Sequence, residues 1–269
     1  SSTTAFHNTA VGMQSLKLTT SGSNNIAMGV NALLYNTTGT NNVGLGSSAL
    51  QNNTTASNNT AVGFESLKAN TTGQQNVAVG SFAILDNTTG DFNTALGYSA
   101  LKNNETADNS VAVGHNASLN NTTGASNTSI GSQSLLTNTT GSFNIGIGAN
   151  ALYSNTTTNN NIGIGNSALF SNTTASNNTA LGYFALQQNT TGAHNTAMGS
   201  NALDANTTGI NNTAVGYAAL TSSTTANNNT AIGRQAGNDI TTGNQNTIIG
   251  SAAGANITSA SDNTAVGYV

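Results

Sequence analysis

The 269-residue chain contains no cysteine, no proline and no tryptophan. Without cysteine there can be no disulfide and no thiolate metal site, although this leaves the compartment open. The absence of proline suits a stacked backbone ladder, in which every N–H is needed and proline has none to donate. Charge is nearly absent too. Charged residues make up 4% of the chain, against about a quarter in ordinary globular domains. The only basic residues are Lys17, Lys68, Lys102 and Arg234, and the net charge is −4. That leaves no basic footprint to displace counterions from phosphate, so nucleic acid is not an expected partner. No apolar run approaches about 18 residues, so membrane insertion through a helix is not expected. Residues 1–269 do not begin with methionine, and no signal sequence is expected within them.

Asn, Thr, Gly, Ser and Ala fill the space left by charge, and they are arranged periodically. Gly12, Gly29, Gly46, Gly63, Gly80, Gly97, Gly114, Gly131, Gly148, Gly165, Gly182, Gly199, Gly216, Gly233, Gly250 and Gly267 follow one another at intervals of 17 residues without insertion or deletion. A fixed short period means one structural unit copied and stacked. Residues 1–269 therefore read as a single continuous repeat array. Its ends match the interior of a repeat: Ser1 to Asn8 parallels Ser222 to Asn229. The chain is expected to be a segment of a longer fibre, or a subunit that abuts others end to end.

Three positions before each glycine and one before it, the pattern alternates. A β-branched residue (Thr9, Ile26, Val43, Thr60 and so on to Thr264) is followed two residues later by an aliphatic one. The aliphatic set is Val11, Met28, Leu45, Val62, Val79, Leu96, Val113, Ile130, Ile147, Ile164, Leu181, Met198, Val215, Ile232, Ile249 and Val266. Period-two spacing with β-branched enrichment is a strand signal, and both positions share one face. That face is expected to be the structural core, with the glycine turning the chain. The residue between them is Ala, Gly or Ser in every unit but one, where it is Ile248. So small a side chain on the opposite face implies close approach of another surface, expected to be another chain.

The second half of each unit runs through Ala or Ser, then Leu, to Asn-Thr-Thr-Gly, as in Asn36 to Gly39. Where Leu becomes Gly237 and Gly254, the Asn three residues later becomes Ile240 and Ile257. The two positions should border one core volume, with the usual Asn at a bend, bonded to backbone or to its stacked copies. The same Asn begins an Asn-x-Thr sequon at Asn36, Asn53, Asn70, Asn87, Asn104, Asn121, Asn138, Asn155, Asn172, Asn189 and Asn206. This makes a candidate row of glycosylation sites, to be weighed against a structural Asn ladder.

The unit Asn-Ser-Val-Ala-Val-Gly (Asn109 to Gly114), with Ala117 three residues on, resembles the head repeats of trimeric autotransporter adhesins. The longer form Asn212 to Leu220, and the Asn-Thr-Thr-Gly segments elsewhere, resemble tail-fibre-like repeat proteins of bacteria and phages. The present period is longer than the usual adhesin-head repeat, by residues around Lys102 to Asn104. The resemblance implies a left-handed parallel β-roll and three chains side by side. Taken with the periodicity, it leads us to expect an all-β parallel β-solenoid of sixteen 17-residue coils in a homotrimeric rod.

Catalytic and metal chemistry find little support. Glu65 and Glu105 occupy different repeat positions, His7 and His194 are eleven coils apart, and no Ser–His–Asp arrangement is recognisable. Asp91 and Asp108 share a position in consecutive coils, but two carboxylates make a poor calcium site. No enzyme activity and no cofactor are expected. Of the paired threonines, only one column can lie on a given surface, because adjacent strand residues point opposite ways. The exposed-aromatic candidates are Phe64, Tyr98, Tyr183, Tyr217 and Tyr268 after the glycine, with Phe92 and Phe143 elsewhere. The expected role is a structural and adhesive fibre of a cell surface or virion, with itself and surface glycans as partners. The alternative is a monomeric polysaccharide- or ice-binding module that uses stacked Thr and Asn ladders.

Overall fold

The computed structural model describes residues 4–268; Ser1 to Thr3 and Val269, on which the reading of the chain ends partly rests, lie outside the described residues. The protein is an all-β parallel β-solenoid. Three-residue strands recur at 17-residue steps, from β1 (Thr9–Val11) to β8 (Thr128–Ile130) and from β9 (Ile145–Ile147) to β16 (Thr264–Val266). No helix occurs among the described residues. Contacts divide the chain into two compact units: residues 1–133 with 137–140, and residues 134–136 with 141–269. In the first, successive strands pair in parallel with like positions side by side, as Thr9 beside Ile26, Ala10 beside Ala27 and Val11 beside Met28. The second repeats the register, with Ile145 beside Ile162 and Ile147 beside Ile164. Backbone bonds outside the strands also run from coil to coil: Thr60 N donates to Asn76 O at 2.8 Å and Leu67 N to Ala83 O at 2.9 Å.

The strand faces are the reverse of the expectation. The small central residue points inward: Ala27, Ala61, Ala95, Ala112, Ala180, Ala214 and Ile248 are fully buried. The aliphatic column assigned to the core (Val11, Met28, Leu45, Val62, Val79, Leu96, Val113, Ile130, Ile147, Ile164, Leu181, Met198, Val215, Ile232, Ile249, Val266) points outward and is half-buried or exposed throughout. Coil width is the physical reason. A Cβ added at Gly44 would lie 3.4 Å from Leu33 Cγ and 3.3 Å from Ala49 O, and one at Gly163 would lie 3.2 Å from Leu152 Cγ. The surface that comes close is the opposite wall of the same solenoid. Within it, Leu33, Leu50, Leu67, Ile84 and Leu101 fill the first unit, and Leu135, Leu152, Leu169, Leu186, Leu203 and Leu220 the second.

The repeat glycines do turn the chain, at φ from +124° for Gly12 to +146° for Gly267. At Gly12 a Cβ would also come 2.7 Å from Gly29 O, so the corner has no room for any side chain. The core leucines are themselves in the left-handed region, with φ of 50° at Leu33, Leu67 and Leu101. That conformation costs roughly 1–2 kcal/mol. Burying a leucine contributes about 1.5–3 kcal/mol, so packing outweighs the strain by a small margin.

The small margin accounts for the exceptions. Gly237 (φ 57°) relieves the strain, and Ile240 Cδ1 lies 3.1 Å from where its Cβ would be, restoring the apolar volume. This bears out the exchange read from the sequence: Ile240 is fully buried, and Ile257 packs against the same cluster. Ile248 is compensated as well. Its Cδ1 sits 2.9 Å from the position a Cβ of Gly254 would take.

Ser118, in a leucine position, meets Ser129, in an alanine position, and donates a hydrogen bond to its Oγ at 2.9 Å. Converting the pair to the Leu-on-Ala packing of the preceding coil should therefore stabilise the chain. We expect Ser118→Leu with Ser129→Ala to raise stability by about 1–3 kcal/mol. Ser129→Ala alone should lower it by about 1–3 kcal/mol by stranding the Ser118 hydroxyl. Denaturant titration followed by circular dichroism measures both.

Candidate interaction surface

In each unit the outer strand face carries two parallel columns. The first holds Thr, Val or Ile and the second only Val, Leu, Ile or Met. Nothing among the described residues covers them: Leu96 is 50% exposed and Val11 53%. A continuous aliphatic column in water is unfavourable, and such surfaces mark interaction sites.

The opposite wall is polar and interlocked. The sequon asparagines Asn36, Asn53, Asn70, Asn87, Asn104, Asn121, Asn138, Asn155, Asn172, Asn189 and Asn206 are at most 1% exposed, which corrects the reading of them as a glycosylation row. Asn70 Nδ2 donates to Asn53 Oδ1 and to Gly73 O, both at 2.9 Å, and Asn70 Oδ1 accepts from Asn87 Nδ2 at 2.8 Å. Attachment of a glycan at Nδ2 would replace one of these two N–H donors and would need space the coil does not have. A second asparagine ladder precedes the strands. There Asn59 N donates to Asn42 Oδ1 at 3.0 Å and Asn59 Nδ2 to Gly73 O at 2.8 Å.

In the pairs that begin at Thr37, Thr54 and Thr71, the hydroxyl of the first threonine is held by the next coil and the second residue is exposed. Thr54 Oγ1 donates to Thr71 O at 3.0 Å, whereas Thr38, Thr55 and Thr72 are exposed. Of the paired threonines, these second members form the column that faces solvent, and the pairs lie in a bend rather than on a strand. Asp91 and Asp108 do stand in consecutive coils, and each carboxylate accepts a backbone N–H of the coil before it, Gln74 N at 2.6 Å and Asp91 N at 2.7 Å. No group of three or more acidic, His or Cys residues with metal-site geometry occurs among the described residues. Glu65 bonds to Lys68 Nζ at 2.7 Å. A depression of about 340 Å³ over the last strand is lined by Ala253, Thr264, Ala265 and Tyr268 among others, with no His or carboxylate side chain in its lining.

The repeat is broken by its aromatics, a feature the position-by-position sequence reading missed. Phe64, Phe82, Tyr98 and His115 form one connected strip, with successive centroids 5.4, 5.7 and 5.6 Å apart. Phe82 sits one position after the aromatic column, so comparing equal positions conceals its contact with Phe64 and Tyr98. Adjacent columns in adjacent coils were the signal available.

No protein-family model matches the chain, and no curated protein matches it. The strand face and its chemistry therefore carry the functional reading.

Two outcomes follow from the polar wall. Asn70→Ala leaves Asn53 Oδ1 and Gly73 O each short of a donor, and should cost about 3 kcal/mol in a denaturant titration. Burial pushes the Asp204 carboxyl above its ordinary value, and its Oδ1 has no hydrogen-bond partner. The folded state then holds its proton more tightly than the unfolded chain, so stability falls as pH rises from the usual aspartate range through the raised value. Asp204→Asn should remove that fall, read as a flatter dependence of melting temperature on pH.

Proposed function

We propose that the chain is a structural and adhesive segment of an extracellular fibre, of the cell-surface adhesin or phage tail-fibre kind. Copies of it pack side by side through the outer strand face. The observation that carries this reading is the uncovered aliphatic column, present at every strand from Val11 to Val266. Its side chains recur at the inter-strand spacing of ~4.8 Å. Over many coils, only a surface of the same spacing can follow it, and a second copy of this chain is such a surface. Parallel copies around a common axis satisfy each column without leaving an open edge. Three copies is the number the adhesin-head resemblance implies.

The strand face takes over the role first given to the small-residue face. The interior is filled with Ala, Leu and Asn, and the exterior away from the strand face is mostly polar and repetitive. These features suit a fibre that acts through length and many weak contacts, surface glycans among them, rather than through catalysis. The exposed threonine column (Thr38, Thr55, Thr72) favours a second reading, a monomeric polysaccharide- or ice-binding module.

Sedimentation equilibrium separates the two readings. The fibre reading expects a multiple of the 26.8 kDa chain mass. It also expects Leu96→Glu with Val113→Glu to dissociate the assembly while the β-type circular dichroism spectrum persists, because the substituted side chains face outward. A wild-type chain that stays monomeric at micromolar concentration would sink the side-by-side assembly.

A further inference from the structure

The outer surface of the first unit is not uniform. Phe64 and Tyr98 are 47% and 52% exposed, and His115 is exposed beside them. Ser47, Ser81 and Ser132 hold the same repeat position in nearby coils. Phe82 lies between Phe64 and Tyr98 and meets both edge-on, at interplanar angles of 87° and 90°. Tyr98 and His115 stack at 14°. Edge-to-face and offset contacts of this kind hold the rings in place, which keeps the strip rigid without burying it.

A second row runs beside the first. Lys68 and Lys102 occupy one repeat position two coils apart, and they are two of only four basic residues in the chain. Lys102 Nζ stands 6.0 Å from the Phe82 ring centroid, within cation–π range. Lys68 Nζ bonds Glu65, the residue next to Phe64. These two contacts place the lysine row on the same face as the rings. Two of the four basic residues thus lie alongside the strip, Lys68 paired with Glu65 and Lys102 over the Phe82 ring with its charge left for a ligand.

We propose that this strip is a binding track for an acidic polysaccharide. Sugar rings present flat C–H faces that lie on exposed aromatic rings, and their carboxylates meet the lysine row. The track spans three inter-coil steps of ~4.8 Å, about 14 Å in all, room for a short run of linked sugars along the solenoid axis. The two rows explain each other. Aromatic rings alone would serve a chain–chain contact as well, but lysines placed beside them select an anionic ligand. The proposal deepens the adhesive reading and rests on it. It does not depend on how many copies assemble.

Calorimetric titration of the full chain with oligogalacturonate, and separately with a neutral cello-oligosaccharide, tests it. The acidic probe should bind and weaken as salt rises, with the neutral probe at least about tenfold weaker. Tyr98→Ala should remove binding of both probes. Lys102→Gln, a mild surface change, should remove only the preference for the acidic one. Tyr183→Ala in the second unit should change nothing. Failure of the acidic probe to bind, or binding that survives Tyr98→Ala unchanged, would overturn the proposal. So would a Tyr98→Ala chain that binds normally but sediments at lower mass, which would assign the strip to chain–chain contact. The wild-type sedimenting mass reports separately on the fibre reading.

Discussion

The width of one coil governs the molecule. In each coil the central strand residue faces a leucine across the interior, and the clearance is so small that a Cβ at Gly163 would already press on Leu152. From that contact the rest follows. The central residue must be Ala, Gly or Ser wherever a leucine faces it, and it is larger only at Ile248, where Gly254 leaves the space. The leucine must adopt a left-handed backbone to reach across, and the larger aliphatic side chains on either side of the central residue have nowhere to go but outward. A parallel β-solenoid built this way has a thin, well-filled interior and a strand face that resembles the inside of a sheet sandwich with its second sheet missing.

The polar half of the coil obeys a different rule. Buried polar groups are tolerated only when they are bonded, and the two asparagine ladders meet that condition by stacking. An amide such as Asn70 spends its oxygen and its N–H groups on the neighbouring coils and on the adjacent turn; where the ladder meets Ser223 instead of Asn, Asn206 Oδ1 is left without a partner. Uniform spacing is what makes the ladder work, so an insertion in any coil would break bonds in the coils on either side. The near absence of charge belongs to the same logic. A stacked ion would meet its own copy at ~4.8 Å, whereas amides and hydroxyls donate and accept at once. Glu65 and Lys68 are paired across a turn, and where two aspartates do stack, Asp91 and Asp108, each carboxylate accepts a backbone N–H of the coil before it.

Much of this was legible in the residue order. The glycine interval marked the coil, the β-branched alternation marked the strand, and the exchange of Leu for Gly with Asn for Ile marked two positions sharing one volume. Which strand face lies inside was not legible in the same way. Alternation separates the two faces of a strand, but size normally identifies the inner one, and here the coil is too narrow for that rule to hold. Ile248 carried the missing information. A large residue in a small-residue position, six residues before Gly254, is understandable only if both point into the same interior. The sequon row illustrates a related trap, since Asn-x-Thr describes a chemical acceptor and says nothing about burial. The aromatic strip escaped because its members sit in two neighbouring positions, so a column-by-column reading could not join them.

Orientation of the strand is the central claim, and cysteine cross-linking tests it most directly. Ala95 and Leu96 are adjacent on one strand, and serine at Ser129 shows that a side chain the size of cysteine fits the inner position. Under mild oxidation, Leu96→Cys should form disulfide-linked chains and react with thiol reagents when the assembly is dissociated. Ala95→Cys should remain reduced and unreactive in the folded protein. Cross-linking through Ala95→Cys with an inert Leu96→Cys would place the aliphatic column inside and contradict the account.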